Sequence, residues 1–347
     1  MKRIFMLTGI GVLLASASIW AGGWRLSWSD EFDGNSLNEG NWMVRTANPG
    51  WVNSEQQRYT GGHDQANSNI FVKNGFLIIE ARKSGEITSG RIESMNKKTF
   101  QYGRMESRMR LPISKGYWPA FWMLGAQGGN WPACGEIDIM EGKGAQPSWV
   151  QGAFHSSQGI NLTYKSYTFP SAAGNVHDNF HTYAIEWNAD TIRWYADTEN
   201  YLTLLRSQHQ GIPINTWAYY FILNVAVGGS FDGNSDNTTV FPESLVVDYV
   251  RVYKWDPNVD AKNGLGLKAH GANLISINPV NGAYQVHLSY RQRYSSDIFN
   301  VSGRRVATTG GIDKEFRLET SGLAPGVYTL SLKGAFGMVR KRIAVQE

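Results

Sequence analysis

The chain has 347 residues, long for one domain and comfortable for two, with 33 basic against 29 acidic residues and a formal charge of +4 at pH 7. That sum hides an asymmetry: residues 23–257 carry 19 basic and 23 acidic groups, residues 258–347 carry 12 and 6. No basic run stands beside the aromatics, which excludes a nucleic-acid partner, and the one cysteine, Cys134, excludes an intramolecular disulfide.

In chain order, Lys2 and Arg3 precede an apolar run at 4–14 and then small residues, with Ala17 or Ala21 as cleavage points. Residues 1–21 read as a secretory signal whose apolar core is too short to anchor in a bilayer. From there to Trp255 the chain holds twelve of its 13 tryptophans and many of its 38 glycines. Short alternating runs broken by Gly, Asn and Pro, without long helical periodicity, predict an all-β domain of two stacked sheets over residues 22–255.

Residues 135–142 read Gly-Glu-Ile-Asp-Ile-Met-Glu-Gly and are the most informative stretch of the chain. The period of two makes it a strand, with Glu136 and Asp138 on one face and Ile137 and Ile139 on the other. Glu141 lies five residues after Glu136, an odd offset that would turn it away. One extra residue, a β-bulge near Met140, returns Glu141 to the acidic face. Three acids on one face repel each other and are tolerated mainly where chemistry needs them. The chemistry that fits is glycosidic-bond hydrolysis, with one ionised and one protonated carboxyl about 5 Å apart in a retaining enzyme. Glu136 and Glu141 start roughly 13 Å apart at the backbone, a gap that two Glu side chains can largely close. A solvated acidic face or a calcium site would show the same bare spacing.

His155 falls on the segment after this strand, read as the neighbouring strand. The seven histidines show no ligand spacing. Cys134 has no His nearby in sequence to activate it and reads as a packing residue. After Trp255 the composition breaks: residues 256–274, rich in Asn, Gly, Ala and Lys, read as a linker. Residues 275–347 form a second, small β-rich module, with a hairpin turning at Gly303, a turn at Pro325-Gly326 leading into a strand, and a last basic strand at 341–345.

Residues 116–125 (Gly-Tyr-Trp-Pro-Ala-Phe-Trp-Met-Leu-Gly), 130–133 (Asn-Trp-Pro-Ala) and the Glu-Ile-Asp-Ile-Met-Glu stretch together resemble glycoside hydrolase family 16. More narrowly they resemble its bacterial laminarinases, the endo-β-1,3-glucanases. Residues 28–32, 53–60, 180–187, 224–229 and 247–253 follow the family's order, so the resemblance spans roughly 24–254. It implies a jelly-roll β-sandwich of two curved antiparallel sheets with the cleft on the concave one. It also implies Glu136 as nucleophile, Glu141 as acid/base and Asp138 as an assisting carboxylate, able to share a proton with the nucleophile. The Met140 insertion matches the laminarinase form; it favours β-1,3 cleavage without excluding β-1,3-1,4-glucan. The tail, through Gly-Arg-Arg-Val at 303–306 and Leu-Ala-Pro-Gly-Val-Tyr at 323–328, is similar to type IX secretion sorting domains. An immunoglobulin-like spacer or a glycan-binding module is the alternative there, and the lack of any Trp speaks against the latter.

Site residues carry over one by one. Trp118, Trp122 and Trp131 match cleft platforms, since an indole suits the apolar face of a sugar ring; Trp187 and Trp194 are assigned to the core or the back of a sheet. Asn53, Glu55, Arg91, His155 and Asn224 match positions that contact sugar hydroxyls. A structural calcium ion is implied at Glu31 and Gly75 through their carbonyls and Asp248 through its carboxylate, unless Asp248 ends a turn or pairs with Arg251. No organic cofactor is required. The expectation is a secreted or cell-surface, monomeric endo-β-1,3-glucanase acting with retention of configuration on laminarin, exported through secretion machinery that reads the tail. The alternatives are a licheninase-type endo-β-1,3-1,4-glucanase and a non-catalytic glucan-binding protein. The three retained acids speak against the last.

Overall fold

Alternation builds the strands. Phe76–Ser84 (Phe-Leu-Ile-Ile-Glu-Ala-Arg-Lys-Ser) buries every second side chain along most of its length. Tyr219–Val227 instead buries all nine residues and has a strand on either side of it in its sheet. A computed structural model describes residues 23–62, 68–156, 163–170, 175–208, 217–257, 275–280, 282–301, 304–334 and 337–345. The expected signal segment, nearly all of the expected linker and the turn at Gly303 lie outside them. No helix among the described residues is long and apolar enough to cross a membrane.

Two sheets form the sandwich. The seven-stranded sheet runs in the order Thr163–Thr168, Trp149–His155, Glu136–Gly142, Tyr117–Gly125, Tyr219–Val227, Arg91–Glu93 and Met43–Val44. The ten-stranded sheet runs Glu199–Leu205, Thr191–Ala196, His181–Trp187, Gly103–Arg110, Glu243–Asp256, Phe76–Ser84, Glu86–Ser89 and Arg58–Tyr59. Gly23–Asp30 joins it beside Glu243–Asp256, and Ile70–Lys73 beside Phe76–Ser84. Among the described strands every pairing is antiparallel except that of Arg58–Tyr59 with Glu86–Ser89. The all-β jelly-roll expectation holds.

Side chains from both sheets fill one core, in which Phe221 meets Phe100, Phe121 and Trp28 at ring-centroid distances of 4.9, 5.4 and 6.2 Å. Trp187 and Trp194 are buried in this core, as expected. Gly152 has no alternative: a Cβ there would lie 2.4 Å from the Trp194 ring and 2.7 Å from the Tyr201 hydroxyl. The close approach lets the Trp194 indole donate to the Asp138 carbonyl oxygen at 2.8 Å, across the sandwich.

The tail forms a five-stranded sheet, Ile275–Val280, Ala283–Phe299, Gly326–Gly334 and Gly337–Val345 in order, with Arg305–Glu319 beside Ala283–Phe299. The chain bends at Pro325 and enters a strand at Gly326, as expected, and the last strand spans Gly337–Val345, longer than the expected 341–345. The tail has its own core, around Val286, Leu330 and Leu332, and shares no core residue with the sandwich. Each unit buries its own apolar face, as separately folding domains do. A chain ending at residue 257 should unfold with a midpoint within about 2 °C of the sandwich transition in the full chain. Calorimetry of the two checks this; a drop well beyond that would mean that the tail props up the sandwich.

Candidate active site

The site grows from the bulged strand Glu136–Gly142. Register on both sides slips after Asp138: Asp138 pairs with Trp122 and Ala153, while Glu141 pairs with Ala120 and Gln151. The bulge falls where the odd spacing requires it. Ile137, Ile139 and Met140 are fully buried, and Glu136, Asp138 and Glu141 line one cleft of 460 Å³. Five other expected residues of the cleft come from the neighbouring strands and the 51–55 loop: Asn53, Glu55, Arg91, Trp118 and Trp122. Asn224 and Trp131 line it too, the latter 60 % exposed at the rim, while His155, expected among the sugar contacts, is not in the lining.

Each wall residue is held by its neighbours. The Trp118 indole N–H donates to Glu141 Oε1 at 3.0 Å, and Gln151 Nε2 donates to Glu141 Oε2 at 3.2 Å. Trp122 Nε1 donates to Asn224 Oδ1 at 2.8 Å, and Asn224 Nδ2 to the Tyr59 hydroxyl at 3.1 Å. The Arg91 guanidinium lies between two indoles, 5.2 Å from the Trp51 centroid and 4.9 Å from that of Trp122, while its Nε donates to Glu93 at 2.8 Å. Cation–π contact and ion pair together fix its direction. Glu55 accepts from Gln57 at 2.7 Å and from the Tyr59 hydroxyl at 3.2 Å. Asn53 and Ser54 take positive φ, 52° and 57°, to turn the loop toward the cleft.

His155 lies directly across the ladder from Glu136. Its Nε2 is 3.1 Å from Asp138 Oδ2 and 3.6 Å from Glu136 Oε1. Asp138 is expected to share a proton or hydrogen bond with Glu136; the imidazole of His155 stands within reach of both. These three residues are also the one group of acids and histidine, among those described, whose ligand atoms all lie within 4.8 Å of one another. Spacing along the chain could not reveal it, because the histidine comes from the next strand.

Electrostatics set the chemistry. Burial raises the Glu136 carboxyl well above its ordinary range, and the charges of Asp138 and Glu141 add to this, against opposing pulls from His155 and a hydrogen bond from the Trp131 side chain. Burial and then Glu141 raise Asp138. Burial also raises Glu141, but hydrogen bonds from Trp118 and Gln151, with His155 and Lys143 nearby, favour its ionised form. Carboxyls in this state retain protons at pH values where free carboxylates have lost them, which suits a group that must donate a proton. Burial and the Glu136 charge push the Cys134 thiol up as well, in keeping with a buried packing residue.

The expected calcium ligands all lie on the ten-stranded sheet or beside the ends of its strands. Asp248 sits at the irregularity between Val247 and Tyr249; Glu31 follows Asp30, which faces Val250; Gly75 lies in the turn ahead of Leu77, which faces Val247. Asp248 is buried and pairs with Arg108 at 2.6 Å, while Arg251 pairs with Glu31 at 2.7 Å instead. Burial still holds the Asp248 carboxyl up at about 6 despite Arg108.

Sequence reasoning missed Trp51, Gln151, Gln57 and Tyr59. Gln151 and Tyr59 become visible only once strand register is known, and Trp51 only once the loop is folded over Arg91.

Comparison with known proteins adds independent findings. Residues 54–250 match the model for glycosyl hydrolases family 16, and residues 278–346 match a secretion system C-terminal sorting domain. The chain is 37 % identical to a β-glucanase of Rhodothermus marinus, over 72 % of this chain and 92 % of that one. It superposes with a TM-score of 0.62 on an endo-β-1,3-glucanase of Pyrococcus furiosus, 39 % identical, covering 67 % of this chain and 95 % of that one. The laminarinase catalytic domain of Thermotoga maritima gives 0.62 at 37 % identity, covering 67 % and 98 %.

The raised carboxyls have a consequence for stability. Such a group binds its proton more tightly folded than unfolded, so the cost of ionising it in the fold grows as pH rises through its folded pKa and fades as pH falls. Glu136→Gln should therefore raise the melting temperature at pH 8, with the gain shrinking toward pH 4. Melting curves of both proteins across that range test it; a gain that is absent at pH 8 or grows at low pH would contradict the raised pKa.

Proposed function

Because the chain belongs to family 16 of the glycosyl hydrolases, we infer that it is an endo-β-1,3-glucanase that cleaves β-glucan with retention of configuration. The observation that carries this is the bulged strand, which turns Glu136, Asp138 and Glu141 into one tryptophan-walled cleft. Glu136 attacks the anomeric carbon while Glu141 protonates the leaving oxygen; Glu141 then takes a proton from the water that releases the glycosyl-enzyme. Trp118 and Gln151 aim the Glu141 carboxyl, and Asp138 reaches Glu136 through the shared imidazole of His155. Trp118, Trp122 and Trp131 stack on sugar rings, and Asn53, Glu55, Arg91 and Asn224 take the hydroxyls. The linkage preference draws on the Met140 bulge and on the solved relatives, described as an endo-β-1,3-glucanase and a laminarinase. The tail's match to a sorting domain supports export to the exterior or the cell surface.

Two side-chain donors favour ionisation at Glu141 and one, from Trp131, at Glu136, whereas the proposed nucleophile is Glu136. Stereochemistry decides between the two orders. Glu136→Ala should lose hydrolysis of laminarin by about 10⁴-fold or more. On a β-glycoside with a good leaving group, azide should restore its turnover and yield the α-glycosyl azide. Glu141→Ala with azide should yield the β-azide. The opposite pairing of variant and product would exchange the roles. Wild-type release from laminarin should exceed that from lichenan; the reverse would move the enzyme to mixed-linkage glucan.

Calcium bound by the carbonyls of Glu31 and Gly75 and the carboxylate of Asp248 would complete the charge balance of that buried site. Chelator should lower the melting temperature by several degrees and added calcium restore it. A melting temperature indifferent to both would leave the Arg108–Asp248 pair as the whole of the arrangement.

A further inference from the structure

The ten-stranded sheet carries a second groove, of 640 Å³, at the end where Gly23–Asp30 begins and Glu243–Asp256 finishes. Trp24, Tyr102, Glu186, Arg193, Lys254 and Trp255 wall it. None of them belongs to the seven-stranded sheet that floors the cleft. Trp24 and Trp255 are cross-strand partners whose rings meet edge to face at 5.4 Å, and Trp255 is 55 % exposed. Gly103 has φ +120°, and a Cβ there would lie 2.2 Å from the Tyr253 carbonyl oxygen. The glycine thus lets the 101–103 turn lie against Glu243–Asp256, where Lys254 Nζ donates to the Tyr102 carbonyl at 2.8 Å.

The charges are largely spent within the protein. Glu186 accepts from Arg104 at 3.2 Å and from the Tyr195 hydroxyl at 3.0 Å, and it faces Arg193 across the ladder. Such a surface gives an ionic partner little purchase but leaves donors and acceptors around exposed indoles. Its chemistry repeats that of the cleft, where tryptophans stand among Asn, Glu and Arg. A neutral ligand with a flat apolar face and a rim of hydroxyls meets both demands, and a pyranose chain is that ligand.

We propose that this groove is a second β-glucan-binding site, which holds the polymer on the ten-stranded sheet while the cleft acts on another stretch or another chain. The choice of glucan rests on the proposed activity of the cleft; the presence of a sugar site in the groove does not.

The test uses the full chain. Adsorption to insoluble β-1,3-glucan particles is measured on ice, and turnover of a short soluble β-1,3-gluco-oligosaccharide is measured separately. Trp255→Ala should weaken adsorption by roughly three- to tenfold while oligosaccharide turnover stays within about twofold of wild type. Arg193→Ala, at a half-buried position on the opposite wall, should weaken adsorption in the same way, and it serves if the tryptophan variant does not fold. Unchanged adsorption in both variants would overturn the proposal. So would a matching fall in oligosaccharide turnover, which would place the effect in the cleft, or a dimer on gel filtration that Trp255→Ala dissolves with adsorption intact. Wild-type adsorption that depends on Trp255, without any hydrolysis, would keep the groove and sink the activity proposed for the cleft.

Discussion

The hydrogen bond from the Trp194 indole to the carbonyl oxygen of Asp138 is the contact on which the cleft depends. Three acids can share a face only if their strand bulges, and a bulge interrupts the ladder that would otherwise satisfy the backbone. The seven-stranded sheet does not meet that need alone. The strand Thr191–Ala196, on the other sheet, sends an indole through the core, and Gly152 leaves the space for it. The acidic strand is thereby fixed from behind, so its front can be shaped by chemistry.

The second constraint is charge. Three carboxyls behind a wall of indoles lose water, and each raises the cost of ionising the others. The compensation is uneven. Glu141 receives two side-chain donors, Glu136 one from Trp131, and Glu136 and Asp138 share the imidazole of His155. The three acids thus sit in three different sets of donors, which a fully solvated acidic strand would not provide. The aromatics serve twice, excluding water and supplying the N–H groups that hold Glu141 and Asn224.

Much of this was legible in the sequence, for identifiable reasons. The odd spacing of Glu136 and Glu141, with apolar residues between, demands a bulge from residue order alone. The alternation of the strands and the break after Trp255 mark the sandwich and the separate tail. What escaped were relations across the ladder. That Asp138 meets His155, and Glu141 meets Gln151, depends on register, which is set by the whole sheet. Trp194 was legible as a core residue but not as a donor, because its partner is a main-chain oxygen 56 positions away. Trp51 belongs to a loop whose course depends on two residues at positive φ, and no periodicity reports that. The pairing of Asp248 with Arg108 rather than Arg251 is of the same kind: two arginines on adjacent strands, distinguished only by geometry.

The bond between the Trp118 N–H and Glu141 Oε1 reaches beyond positioning. An indole's excited state carries a large dipole, so its emission responds to a charge placed at its N–H. Trp118 is thus an optical probe wired to one carboxyl: when Glu141 gains or loses its proton, the local field on that ring changes sign or size. The protonation state of the group can be followed by light from its own neighbour, in the absence of substrate and without any introduced label.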